Sequence, residues 1–196
     1  MEILSNVSRY KNKIINLFLN DPFIVRLINP KPSECPDMDS IDVLLGRDLI
    51  VGDKKWSEPG HIFDYDFVDD TITQEKTFLF VDIDVDSVER TMFAGFDLSV
   101  YVLTSKSLVR LNDSTTPTVE EVEQNGYFAG RYGNRVDTLC AAVDRLLNGN
   151  SDFGIGDVTP APQGYYVPYC PNSHFYGKRL KYRVKVYNEG GILRGH

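Results

Sequence analysis

Apolar and polar positions along this chain repeat with two different periods, and each change of period marks an element. From Thr77 to Val85 the period is two. Thr77, Leu79, Val81, Ile83 and Val85 share one side, and Phe78, Phe80, Asp82 and Asp84 share the other. The second side turns from aromatic to acidic, so one end of it should be covered and the other wet. Residues 96–104 repeat the pattern, with Phe96, Leu98, Val100 and Val102 on the core side. Consecutive strands tend to pair, which predicts antiparallel neighbours joined by a long hairpin loop containing Gly95. In the last regular strand, 178–187, Leu180, Tyr182, Val184 and Val186 point one way and Arg179, Lys181, Arg183 and Lys185 the other.

Between 133 and 149 the period becomes helical. Val136, Leu139, Cys140, Val143, Leu146 and Leu147 form one apolar stripe. Asn134 suits the N-cap, Asp137 favours the positive end of the helix dipole, and Gly149 suits the left-handed residue past the C-terminus. A helix this short needs a surface to press on. The expected surface is an antiparallel sheet of 77–85, 96–104 and 178–187.

The N-terminal quarter, 1–46, reads as a helical layer. Residues 2–19 carry a stripe of Ile3, Leu4, Val7, Tyr10, Ile14, Leu17 and Phe18. Asn20-Asp21-Pro22 ends that helix and starts a short second one, 23–28, and 38–45 reads as a third. The stretch 47–75 reads as an extended loop with Trp56, in which apolar Ile62 and the aromatic anchors Phe63, Tyr65 and Phe67 stand among aspartates. Residues 105–133 read as a long loop insertion, 153–158 as a short strand followed by a Pro/Tyr-rich loop, and 189–196 as a Gly-rich tail. The fold expected is therefore α+β: an antiparallel β-sheet packed by one main α-helix, an N-terminal helical layer, and long projecting loops. The division is 1–46, a core domain 47–188, and the tail 189–196.

Composition narrows the partners. The net charge of −7 and pI near 5.0 disfavour general attraction to nucleic acid or anionic membrane. Cys35, Cys140 and Cys170 have no metal-ligand spacing and make a poor disulfide framework, which favours a reducing compartment. The N-terminus lacks a signal-peptide core, and no apolar run is long enough to span a bilayer, so a soluble protein is expected.

Two groups of residues carry candidate chemistry. Asp82, Asp84 and Asp86 would share one strand face, where Mg²⁺ could relieve their repulsion. A strand ending in Asp-x-Asp is also similar to the nucleophile strand of haloacid-dehalogenase-type phosphatases. However, Asp86 stands where Thr or Val is usual there, and no later lysine or acidic-pair motif follows. The plain alternative is a solvated strand end. His61, His174 and Cys170 lack partners at catalytic spacing, and Cys140 reads as core. The second group is the stripe Arg179, Lys181, Arg183 and Lys185. In an acidic protein it calls for a negative neighbour: nucleic-acid phosphate, or an acidic surface on another copy, such as Asp64, Asp66, Asp69 and Asp70 or the 82–86 aspartates. The plain alternative is a solvated face that protects an edge strand from aggregation.

The order of elements also carries a resemblance. Arg135, Asp137, Leu139, Asp144, Leu146, Leu147 and Gly149 make R-x-D-x-L-x-x-x-x-D-x-L-L-x-G. Tyr176, Gly177, Leu180, Tyr182 and Val184 make Y-G-x-x-L-x-Y-x-V. Over roughly 75–188 this resembles the tail-terminator and tail-to-head joining proteins of tailed bacteriophages. The resemblance implies a non-enzymatic, cofactor-free virion neck protein, assembled in the bacterial host cytoplasm. Its partners would be copies of itself in a hexameric or dodecameric ring, the portal or adaptor, and the tail tube, with DNA only passing through. The competing expectation is a Mg²⁺-dependent phosphatase or nuclease using Asp82, Asp84 and Asp86.

Overall fold

A computed structural model describes residues 3–28, 61–65, 75–88, 93–111, 118–127, 133–152 and 154–187. Its longest elements come from the regular patterns. Helix α1 spans Ile3–Leu19, α2 Pro22–Ile28, α3 Val119–Gln124 and α4 Arg135–Leu147. The strands are β1 Ile62–Phe63, β2 Thr77–Val88, β3 Phe93–Ser105, β4 Asp157–Pro160, β5 Tyr166–Pro168 and β6 Phe175–Tyr187. The protein is α+β.

The sheet runs β1-β2-β3-β6-β4, with β5 also on β6. It is mixed: β1 lies parallel to β2, and every other pairing is antiparallel. The aromatic-anchored loop expected around Ile62 and Phe63 thus contributes a short strand beside Leu79 and Phe80. The expected long hairpin is also corrected. Strand β2 continues to Val88 and β3 begins at Phe93, which leaves only 89–92 to connect them, and Gly95 is a ladder residue opposite Lys185. A bulge between Asp84 and Ser87 absorbs one extra residue of β2.

Helix α4 forms as its sequence demands. Asn134 accepts hydrogen bonds from the amides of Val136 and Asp137, and Gly149 takes φ +75° just past the end. Val136, Leu139, Val143 and Leu147 are fully buried. Each contributes about 1.5–3 kcal/mol, more than a helix of this length can supply from its backbone alone. The helix presses on β3, β6 and α2, while α1 covers β2 and stacks Tyr10 on Phe96 at 5.4 Å. These helices and one sheet face enclose the main core.

The opposite face divides as the β2 pattern requires. Phe63, Phe78, Phe80, Leu103 and Phe175 form a second buried cluster, flanked by Tyr101 and Tyr169. Beyond it the face becomes charged: Asp82 is half-buried and Asp84 exposed.

Besides β1, two further elements lie in segments whose composition reads as loop. Helix α3 sits within 105–133, started by a full capping box between Thr118 and Glu121, and β5 sits in the Pro/Tyr-rich loop. The strand expected at 153–158 lies at 157–160. The expected helix at 38–45, Trp56, Asp66, Asp69, Asp70, Cys35 and the tail 189–196 lie outside the described residues.

Candidate functional site

The charged half of the outer sheet face gathers most of the polar side chains that the strand pattern singled out. Register sets their rows. Asp84 of β2 lies opposite Asp97 of β3, which lies opposite Arg183 of β6. In the next row Asp82 lies opposite Ser99, and Ser99 opposite Lys181. In these rows the acids occupy β2 and β3 and the cations occupy β6, and on the far side of β6 Asp157 of β4 lies opposite Lys185.

Part of this charge is neutralised inside the chain. The Asp97 carboxylate is only 10% exposed and receives Lys181 Nζ at 2.7 Å and Arg183 Nε at 3.5 Å. Those contacts offset the repulsion between Asp84 and Asp97, like charges directly opposed across two strands. Asp82 accepts from Lys11 Nζ at 2.7 Å, and the same ammonium donates to the Asp64 carbonyl at 2.7 Å, so Lys11 ties α1 to the edge of β2. Asp82 also accepts from the Ile83 amide.

Arg179, Lys185 and Asp84 stand apart. Among the described residues none of the three has an ion-pair partner. Arg179 is half-buried, and its Nε is shielded from solvent with no hydrogen-bond acceptor. Its guanidinium lies beside the turn at Gly164, where a Cβ would sit 3.4 Å from Nη2.

Of the candidate metal ligands, Asp82 and Asp84 lie in regular register with Ser99 and Asp97 and share one face of β2, and the bulge follows between Asp84 and Ser87. Among the described residues no three His, Cys, Asp or Glu side chains converge. His61 Nδ1 pairs with the Thr77 carbonyl at 2.8 Å, and His174 is exposed immediately before β6. Burial pushes the Cys140 thiol well above its ordinary range, which suits packing rather than nucleophilic attack. Cys170 is exposed and free.

The two motifs resolve into supports for this face. Arg135 is fully buried, donating from Nη1 to the Leu27 carbonyl and from Nε to the Leu108 carbonyl, both at 2.8 Å. The first of these lies in the last turn of α2, where carbonyls lack helical partners. Burial lowers its pKa to about 10, and it stays charged at neutral pH. Asp137 accepts from the Tyr166 hydroxyl, and Asp144 from those of Tyr165 and Tyr182. Gly177 is required by crowding: a Cβ there would lie 2.3 Å from the Val102 carbonyl oxygen and 2.9 Å from that of Tyr169.

The sequence reading missed Asp97 and Lys11. Asp97 occupies the outward phase of β3, and only the register reveals that it faces Arg183. Lys11 and Asp82 are 71 residues apart, and nothing local couples them.

No curated protein and no solved structure matches this chain. A family model described as YomW does, over residues 21–184, from the start of α2 to the last described core residue of β6. That span is most of the polypeptide, and the chain belongs to the YomW family.

Proposed function

We propose that this chain is a phage virion structural protein of the head–tail connector, of tail-terminator or tail-to-head joining type. It assembles as a hexameric or dodecameric ring between the portal or adaptor and the tail tube, and it has no catalytic role. The family name is of a Bacillus phage type and supports association with a phage.

The observation that carries the ring reading is the division of charge on one braced sheet face: acids on β2, cations on β6, and residual charge of both signs after internal pairing. A ring contact is heterologous, one surface meeting a different one, and separated charges of opposite sign suit it. Such charges set register and encounter rate more than raw affinity. The net charge of −7 suits a lumen that passes DNA without holding it.

Electron microscopy and mass photometry of the purified protein, alone and with its neighbouring gene products, test the reading. Closed rings are expected. A chain that stays monomeric under both conditions, or that turns over phosphate esters with Mg²⁺ and loses that activity on Asp82→Asn, would overturn it.

A further inference from the structure

We infer that the contact between copies is made by Asp84 of one subunit against Arg179 of the next. The inference rests on the assembly reading and names the residues that carry it. The internal ion pairs select them. Lys181 and Arg183 are committed to Asp97, and Asp82 is committed to Lys11. Of the acids on this face of β2 with described side chains, Asp84 remains, exposed and without an ion-pair partner. On β6, Arg179 and Lys185 remain.

Burial separates those two cations. Lys185 is exposed to solvent, whereas Arg179 is half-buried with its Nε cut off from solvent and acceptor alike. A guanidinium in that setting gains far more from a carboxylate than a solvated ammonium does, because its hydration is already partly lost. Asp84 cannot reach it within one chain. Register places Arg179 two strands away and four residues further along, a separation of roughly 17 Å from strand spacing and rise. The occupant is therefore a second copy. The acidic balance of the whole chain favours it over nucleic-acid phosphate.

Complementation by mixing decides the matter. Asp84→Lys and Arg179→Glu subunits should each fail to assemble alone, since each puts like charges at every contact. Mixed in equal amounts they should assemble. The lysine introduced in one subunit then meets the glutamate introduced in the other, and native Asp84–Arg179 contacts fill the remaining positions. Mass photometry reads the particles, and a thermal melt of each variant verifies folding. Arg179→Gln carries the basic half if Arg179→Glu does not fold. It should weaken assembly by roughly tenfold or more, as loss of a partner from a desolvated charge pair does. Wild-type rings with either single variant still assembling overturn the Asp84–Arg179 contact and leave the ring reading standing. Variants that fail singly and also when mixed overturn the pairing. A wild type that never assembles removes both readings together.

Discussion

The Tyr182 hydroxyl on β6 donates to the Asp144 carboxylate on α4 at 3.0 Å, and Tyr165 donates to the same oxygen. Tyr182 is completely buried, so this hydroxyl has no water to fall back on. One carboxylate thus locks the main helix to the long strand that carries the basic stripe.

Asp144→Ala should therefore cost about 1–3 kcal/mol, the penalty for leaving a buried hydroxyl unsatisfied. Asp144→Asn, which keeps an acceptor, should cost less. Urea unfolding at neutral pH measures both, and equal stability of the alanine variant and wild type would remove the lock from the account.

The same contact makes the fold sensitive to alkali. Burial first, and then the Asp144 charge, raise the Tyr182 pKa above its ordinary value of 10.0. The folded chain keeps this proton where the unfolded chain releases it. The contribution is thus fully present below about pH 10 and is lost as pH rises above that, by at most about 1.4 kcal/mol per pH unit. Urea midpoints measured between neutral pH and pH 11 should fall above pH 10, and Tyr182→Phe should flatten the fall. An unchanged slope in that variant would assign the alkaline loss elsewhere.

Gly177 and Gly95 are both glycines in long strands, and their alanine variants should behave differently. At Gly177 the new methyl would overlap the Val102 carbonyl oxygen, which forces a backbone shift costing about 1–3 kcal/mol. At Gly95 the nearest atom is the Val184 carbonyl oxygen at 3.6 Å, an ordinary contact. Thermal melts of the two variants should show a clear loss for Gly177→Ala and little change for Gly95→Ala.

Asn134 caps α4 through two backbone amides, and Asn134→Ala should cost about 1 kcal/mol. Asn134→Asp, which keeps the acceptor and adds a negative charge at the helix N-terminus, should be neutral or stabilising. Chemical denaturation of the pair separates the cap from the dipole.

Most of what depended on neighbours in the chain was legible from the residues alone. The stripe of α4, its Asn134 cap and Gly149 terminator, and the alternation of β2, β3 and β6 all follow from steric and hydrogen-bonding rules acting within a few residues. The covered aromatic end and wet acidic end of β2 were legible for the same reason. The capping box at Thr118 and Glu121 was equally local, but it lay in a segment whose polarity resembled a loop.

Tertiary structure decided the partners. Alternation places Arg179, Lys181, Arg183 and Lys185 on one face with equal weight. Only the β3–β6 register gives Lys181 and Arg183 to Asp97 and leaves Arg179 half-buried without an acceptor. The bulge in β2 between Asp84 and Ser87, and the crowding that demands glycine at 177, arise the same way. Local periodicity determines which way a side chain points. What it meets is set by strands brought together from distant parts of the chain, and that meeting determines whether a charge is spent within the fold or left for another molecule.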